Sequence, residues 1–455
     1  MLRKISRRKL LLLTGDLLVI IISMHLAYLA RFGHFLDLFN ERNAFRMFVL
    51  AIGFILSFYI FDQYNIKIKF LSSRNLIFFG WGLLAVAFCM AICFYFFPFA
   101  VGRGIFFFTF ISVGLLAFLW RVVFFSFFSL VVPPKKLLLV GVEKRVEKLS
   151  SLIKQFPEYK VVGYLSDKPP VKPVGNPFPY LGRKTDIEKV VNHHRVDGII
   201  IAGGRLGDSN LSRMLINFRL RGISVFNLAT FYEQLFDKLP VLSLRDQWLV
   251  FSQGFDQLGS EIFKKVKRLF DLGGSIAILI ASLPINLLII LLIKLTSRGP
   301  VLYIQERLGK DEKPFRMLKY RTMICEAEKD APKWAEENDR RVTGIGKFLR
   351  KTRLDELPQL INVIKGEMSL IGPRPEREYF VNILKKRIPY YSLRFAVKPG
   401  ITGWAQVNYR YGATVEDAIE KLRYDLYYIK NLSLFLDLRI LLKTIRICLF
   451  GMGGR

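Results

Sequence analysis

Apolar residues are distributed along this chain in three textures. In the first 132 residues they form four long runs, 10–30, 45–61, 76–97 and 105–132, with charge gathered mainly at the flanks. Each run is about long enough to cross ~30 Å of hydrocarbon as a helix, which predicts a block of four transmembrane helices over residues 1–132. Pro133 and Pro134 close that block, and shorter runs follow. Residues 137–142, 160–165 and 197–202 read as buried strands, with a helix-like stretch up to Gln155 between the first two. Strands alternating with helices predict a parallel α/β domain, residues 133–250. A second long apolar run, 272–293, carries Ser282, Pro284 and Asn286 at its middle and cations on both sides, Lys264, Lys265, Lys267 and Arg268 before it, Lys294 and Arg298 after it. A spanning helix would place one cluster outside; a helix bent at Ser282–Pro284 keeps both on one face, which predicts a re-entrant segment over 266–296. The segment from 418 to 450 reads as two helices separated near 431–433. Arg439, Lys443 and Arg446 make a basic stripe on the second, the pattern either of an interfacial membrane helix or of a core helix with one wet face.

Composition sharpens this picture. The 455 residues are 52% apolar and 14% aromatic, rich for a soluble chain, and carry a net charge of +31. Anionic partners follow, and apolar spans beside basic loops favour a lipid surface over nucleic acid. Arg3, Lys4, Arg7, Arg8 and Lys9 before the first run, with Lys67, Lys69 and Arg74 between the second and third, place both ends of the four-helix block in the cytoplasm. The first run is too long for a secretory h-region and lacks a small-residue cleavage site. Asp16 and Arg121 lie inside membrane runs, where a partner on a neighbouring helix or a route to the interface is expected of each. Cys89, Cys93, Cys325 and Cys448 have no CxxC spacing and no histidine cluster, against a disulfide framework or zinc site. The turn after the first α/β strand, GVEKRV, holds one glycine where close approach of a pyrophosphate needs three, so the middle domain reads as a Rossmann-like scaffold without cofactor. Gly203-Gly204 is either a tight turn or a backbone approach to a ligand.

The chemistry concentrates in residues 350–376, RKTRLDELPQLINVIKGEMSLIGPRPE. Leu354, Leu357, Leu360, Ile361 and Ile364 recur at helical spacing, while Pro358 allows the helix only to start near Asp355 or to kink there. Asp355 and Glu356 therefore sit at a helix terminus or break, among Arg350, Lys351 and Arg353, where the same cations would hold a phosphate. A capping box from Thr352 to Asp355 on a solvated face is the plainer alternative.

RTM at 321–323, the acid pair with Pro358, GPRPE at 372–376 and KPGITGWAQV at 398–407 together resemble the bacterial sugar transferase family of monotopic phosphoglycosyl transferases, over roughly residues 260–455. The resemblance implies transfer of a sugar phosphate from a UDP-sugar to undecaprenyl phosphate, the first membrane step of a surface polysaccharide, by a multi-pass enzyme of the bacterial inner membrane with its catalytic domain in the cytoplasm. It gives Asp355 the nucleophile's position and makes Lys319, Arg321 and Met323 part of the site's wall. Glu356 would hold Mg²⁺, and Arg350 and Arg374 would clamp phosphate oxygens. Glu376 in the proline-rich turn, with Thr402 and Gln406 beside Trp404, completes the expected substrate-binding set, and a homodimer is admitted as an assembly. The family's glycine near Glu312 or Lys313 is missing here. Two rivals remain: a non-enzymatic scaffold of polysaccharide machinery, and a nucleotide-sugar dehydratase or epimerase, for which Tyr424 followed by a second tyrosine at 428 breaks the needed Tyr-x-x-x-Lys.

The expected architecture is membrane α plus α/β: four transmembrane helices, a Rossmann-like middle domain, and a small α/β catalytic domain, residues 260–455, on a re-entrant helix and interfacial helices.

Overall fold

A computed structural model describes residues 7–37, 40–65, 70–96, 103–131, 133–141, 153, 156, 158–167, 178–202, 209–244, 246–324, 341–409, 412 and 414–450. It forms two compact units, Met1–Val225 and Phe226–Arg455.

The first unit opens with α1 (Arg7–Phe32), α2 (Glu41–Ile60), α3 (Ser73–Phe96) and α4 (Arg103–Val131), each close to an apolar run of the sequence. All four are long and apolar enough to cross a membrane. α1 and α4 pack closely because α1 has a glycine at the contact: a β-carbon on Gly15 would fall 2.1 Å from the Trp120 ring. At the next residue of each helix the Arg121 guanidinium makes two bonds to the Asp16 carboxylate, at 2.7 and 2.8 Å, with both side chains fully buried. The guanidinium also lies 4.3 Å from the centre of the Phe58 ring. An ion inside a membrane block needs such a partner, so the two charges that stood out in the sequence account for each other.

Behind this block come β1 (Lys135–Val140), β2 (Tyr159–Leu165), β3 (Tyr180–Gly182), α5 (Ile187–His194), β4 (Gly198–Ile201), α6 (Ser209–Leu220) and β5 (Ser224–Asn227). The strands form one sheet in the order β3-β2-β1-β4-β5, and β1 runs parallel to both β2 and β4. Leu138, Val140 and Ile199 of the central strands are buried with Val190, Val191 and Phe218 of the flanking helices, so these short apolar runs are strands covered by helices. Residues 142–146 of the GVEKRV turn, most of the stretch to Gln155, and Gly203-Gly204 lie outside the described residues.

The second unit begins with α7 (Leu228–Phe236) and α8 (Asp246–Phe251), then α9 (Glu261–Ala281) and α10 (Leu283–Thr296), which meet at a 62° bend. The bend has an identifiable cause. Pro284 stands in the first turn of α10, and Asn286 Nδ2 donates to Ser282 Oγ at 2.9 Å, while Asn286 Oδ1 accepts from Tyr320 at 2.9 Å. After α10 the chain makes the antiparallel pair β6 (Leu302–Leu308) and β7 (Pro314–Tyr320), followed by α11 (Gly344–Thr352), α12 (Gln359–Lys365), β8 (Ser369–Ile371), α13 (Glu378–Arg387), β9 (Gly400–Thr402), α14 (Trp404–Asn408), α15 (Val415–Lys430) and α16 (Leu434–Phe450). Where the expected glycine is missing, the β6–β7 turn still takes the left-handed conformation, at Asp311 (φ 54°) and Glu312 (φ 60°). Lys385 pairs with Glu312 there and holds the turn against α13.

Residues 226–250, which the sequence groups with the middle domain, supply Leu239, Val241 and Leu244 to the core of this second unit, alongside Leu360, Val363, Ile371, Trp404 and Leu426. α9 is fastened to the same core by polar contacts. Asp271 accepts from Ser369 Oγ at 2.9 Å and from the Leu370 amide at 3.0 Å; Arg268 donates to the carbonyls of Val363 and Ile364; Lys267 meets Asp437 at 2.7 Å. On α16 the basic stripe turns inward: Arg439 and Lys443 each lie 4.8 Å from the Trp404 ring centre, leaving Phe435, Leu438 and Ile445 exposed.

Candidate active site

The acid pair lies in a break between two helices. α11 ends at Thr352, Arg353 follows in the left-handed conformation (φ 57°), and Leu354–Glu356 form a single 3₁₀ turn before Pro358 opens α12. The capping-box alternative fails here, because Thr352 Oγ1 bonds back to the Phe348 carbonyl at 2.9 Å and not toward Asp355. The turn is rigidly supported. Leu357 packs under it, and Asn362 on α12 accepts from the Leu318 amide at 3.0 Å and donates to the Arg316 carbonyl at 2.8 Å, fixing α12 against β7. That register brings Lys319 of β7 to the acids.

Asp355 and Glu356 are 8% and 7% exposed, so each carboxylate has lost most of its water. Glu356 is compensated: Arg374 Nη2 donates to it at 2.9 Å, and Lys319 Nζ stands 3.6 Å away. Burial would raise its pKa, but Arg374, Lys319 and Arg353 outweigh burial and hold the carboxyl down to about 2. Asp355 differs. Among the described residues its carboxylate makes no hydrogen bond or ion pair, and burial, only partly opposed by Lys319, Arg374 and Arg350, raises its pKa. Two adjacent acids are thus driven apart, one locked as an anion by cations and the other left with unshared oxygens, an arrangement suited to one anchoring and one attacking carboxylate. Lys319 is pushed down by the same burial, with Glu356 pulling the other way.

The remaining expected site residues divide into two groups. Arg350 donates through Nε to Thr322 Oγ1 at 2.9 Å and adds to the positive field on Asp355. Arg374 and Lys319 reach the pair directly. Arg321, in contrast, donates to Ser297 Oγ and O at 2.7 and 3.0 Å, at the end of α10. Thr402 shares a hydrogen bond with Thr444 at 2.7 Å, and Gln406 donates to the Ile401 carbonyl while its Oε1 is buried without a partner among the described residues. Glu376 sits 3.7 Å from Arg307 and 4.0 Å from Arg394, in the wall of a cleft that also includes Tyr391, Arg394, Thr414 and Lys421. Met323 pairs with Val342 in an isolated bridge.

Sequence reasoning missed a buried hub behind the proline-rich turn. Arg394 donates to the Arg374 carbonyl at 2.9 Å, to Asp425 at 3.0 Å and to Tyr391 at 2.7 Å. It thereby holds the backbone that presents Arg374 to Glu356. Asp425 is fully enclosed, and burial, partly offset by Arg394, pushes its pKa from 3.8 up to about 6. Glycines allow the turn to nestle against β9: a β-carbon on Gly400 would lie 2.0 Å from the Gly372 amide nitrogen. Residues 390–425 carry nine charged side chains, and nothing in their spacing singles out Arg394 and Asp425 as the buried pair.

These pKa directions fix a pH response. Asp425, raised in the folded state, contributes stability that is present below pH 3.8 and lost as pH rises through about 6, a cost of roughly 3 kcal/mol at neutral pH. Glu356, depressed, contributes stability that is present above pH 4.5 and lost as pH falls toward about 2. Thermal unfolding should therefore shift upward on acidification from about pH 7 to about pH 5 and downward below about pH 4. In Asp425→Asn the upward limb should shrink.

Divalent cations such as Mg²⁺ usually take one or two carboxylates and complete their shell with substrate phosphates and water. The donor set fits that mode: two adjacent carboxylates, and among the described residues no group of three or more acids, histidines or cysteines that would cage a metal. Asp355 retains free oxygens, while Glu356 would have to share its own with Arg374.

The model of the family described as "Bacterial sugar transferase" matches residues 262–451. Over 243 residues, 53% of this chain and 56% of the relative, the sequence is 42% identical to a UDP-N-acetylgalactosamine-undecaprenyl-phosphate N-acetylgalactosaminephosphotransferase of Aeromonas hydrophila. Over 276 residues, 58% of this chain and 57% of the relative, it is 37% identical to a UDP-glucose:undecaprenyl-phosphate glucose-1-phosphate transferase of Klebsiella pneumoniae. A shorter protein of Bacillus subtilis, the uncharacterized sugar transferase EpsL, is 41% identical over 192 residues, which are 41% of this chain and 89% of that protein. The chain spans a little over half the length of the first two relatives.

Proposed function

The chain belongs to the bacterial sugar transferase family, and from that premise we propose that it transfers a sugar 1-phosphate from a UDP-sugar to undecaprenyl phosphate, releasing UMP, at the cytoplasmic face of the bacterial inner membrane. One observation carries the reading: two adjacent buried carboxylates of which Glu356 is neutralised by Arg374 and Lys319 while Asp355, among the described residues, keeps its oxygens unshared. A non-enzymatic scaffold has no use for a buried acid left in that condition.

The reaction is a double displacement. An Asp355 oxygen attacks the β-phosphorus of the UDP-sugar, the bond from that phosphorus to the UMP oxygen breaks, and UMP leaves with the electron pair. An oxygen of the lipid phosphate then attacks the same phosphorus and returns the Asp355 carboxylate. A phosphate acceptor is already largely ionised near pH 7, so neither step requires a general base. Arg374 and Lys319 hold Glu356 and stand where a diphosphate's charge would enter, and Arg350 adds to that field. Mg²⁺, when bound at the acid pair, would neutralise the diphosphate and make UMP a better leaving group. We read Arg321 and Thr402 as supports of the site's walls, through Ser297 and Thr444, and Gln406 and Glu376 as contacts for the nucleotide. Incubating the purified protein with undecaprenyl phosphate and a panel of radiolabelled UDP-sugars tests the reaction; a lipid-extractable product with at least one sugar is expected, and none with any sugar would refute it.

For the membrane arrangement we read the bent α9–α10 pair as re-entrant, with both of its basic flanks cytoplasmic, α16 as lying along the interface with its exposed apolar face toward lipid, and the parallel sheet as a Rossmann-like scaffold that binds no nicotinamide cofactor. Cysteines introduced near Lys264 and Arg298 should be labelled from the same side. Replacing Pro284 with Leu should convert part of the population to opposite-side labelling, because an uninterrupted apolar helix satisfies its own backbone across the bilayer. Opposite-side labelling in the unmodified chain would refute the re-entrant form.

A further inference from the structure

A second cationic site lies at the far end of α12 from the acids. The Arg268 Nη2 and Lys398 Nζ atoms each come within 3.6 Å of the point where a β-carbon on Gly366 would stand, so their separation is at most twice that distance. Gly366 itself is left-handed (φ 89°), and the lack of a side chain keeps the space between the two cations open. Arg268 is held in place by its bonds to the Val363 and Ile364 carbonyls, at 2.5 and 2.6 Å, which are neutral and leave its charge uncancelled. Lys398 is half-buried and, among the described residues, has neither a hydrogen bond nor an ion pair. Burial, then Arg268, then Lys310 push its pKa down, with Asp271 opposing. Two acids stand nearby, Asp271 accepting from Ser369 and Leu370 and Glu367 from Asn362; Asp271 offsets part of the positive charge, but neither acid forms an ion pair with Lys398 or Arg268 among the described residues.

Like charges held this close, with no carboxylate paired to either among the described residues, are costly unless an anion joins them. The location narrows which anion. Arg268 belongs to the basic start of α9, with Lys264 and Lys265 exposed on the same helix just before its apolar length, which is headgroup depth for a membrane segment. α12 has seven residues, so this site stands about 10 Å along its axis from the acid-pair turn.

We propose that Lys398, Arg268 and Lys310 bind the phosphate of a membrane lipid at a site distinct from the acid pair. The inference rests on α9 lying in a membrane and not on the transfer reaction. A phosphate oxygen would bridge the Lys398 ammonium and the outer edge of the Arg268 guanidinium, with the exposed Lys310, itself 3.9 Å from Asp311, adding a smaller share to the field. The ligand chemistry is shared by a phospholipid diester, a polyprenyl phosphate monoester and free phosphate.

The test uses the full chain in phosphatidylcholine nanodiscs, alone or doped with phosphatidylglycerol or undecaprenyl phosphate, released into mild detergent and weighed by native mass spectrometry. The wild type should retain one doped lipid; Lys398→Gln should lower that retention about tenfold, the loss of one charge-assisted contact. Lys310→Gln should lower it less, and Lys398→Arg should restore it, which a merely misfolded variant would not allow. Equal retention by wild type and Lys398→Gln overturns the proposal, and so does displacement of the lipid by millimolar inorganic phosphate, which would make this a free-anion site. UMP release measured on the same preparations reports on the transfer reaction separately, so either reading can fail alone.

Discussion

Asp355→Asn should release no measurable UMP from any UDP-sugar, a loss of at least about 10⁴-fold, because an amide oxygen cannot form the acyl phosphate and nothing else in the site replaces the nucleophile. The fold should survive the change. Asp355 makes no hydrogen bond or ion pair among the described residues, so an isosteric amide removes a desolvated charge at the cost only of longer-range attraction to Lys319, Arg374 and Arg350. The unfolding midpoint should stay within a few degrees of wild type, the size of shift expected for ~1 kcal/mol in a unit this large. Glu356→Gln should give a different signature. It leaves Arg374 and Lys319 facing a neutral amide, so UMP release should weaken, and raising Mg²⁺ should recover part of it. The wild-type rate should also fall on acidification earlier than an ordinary carboxylate would dictate, since burial raises the pKa of Asp355 and the attacking form is the anion. Initial rates of UMP release across pH, for wild type and both variants, check all of these.

Arg394→Met should be the most damaging substitution outside the acid pair. It strips the buried Asp425 of its cation and the Arg374 carbonyl of a donor. Removing one partner of a buried ion pair costs about 3–5 kcal/mol, and the loss should be smaller near pH 5, where Asp425 can escape by protonation. A double variant, Arg394→Met with Asp425→Asn, separates stability from function. It should regain much of the stability, because no lone charge remains, yet stay slow in UMP release, because the loop carrying Arg374 is still unanchored. Recovery of both together would mean that the hub merely holds the fold.

The parts of this protein that were legible in its sequence are those governed by local rules. A membrane helix must keep its apolar residues in one continuous run, and so α1 to α4 could be read directly; the break at Ser282–Pro284 was visible because proline has only one comfortable place in a helix. The acid pair was legible as a helix break because of Pro358, and Arg350 and Arg353 because they are its neighbours in sequence, whereas Lys319 and Arg374, which reach Glu356 directly, come from other elements. What escaped depends on distance along the chain. Arg121 and Asp16 are 105 residues apart and Arg394 and Asp425 are 31 apart, and no periodicity joins either pair. β8 and β9 have three residues each, too short to show alternation, although their contact explains the glycines of both motifs. The basic stripe of α16 is legible but its direction is not, since a helix pattern does not say that Arg439 and Lys443 would both meet the Trp404 ring. Asp311 and Glu312 show the converse, a turn that takes left-handed geometry without the glycine that most readily permits it.

The claim on which the account turns is that Asp355 carries the sugar phosphate between the two substrates. Purified protein should be mixed with its UDP-sugar in the absence of any lipid acceptor, quenched, digested and examined by mass spectrometry, with released UMP counted in the same tube. The account predicts a stoichiometric burst of UMP and a peptide containing Asp355 heavier by one phosphosugar, both absent in Asp355→Asn and the adduct lost on adding undecaprenyl phosphate. UMP that appears only when the lipid acceptor is present, with the Asp355 peptide unmodified, would contradict it.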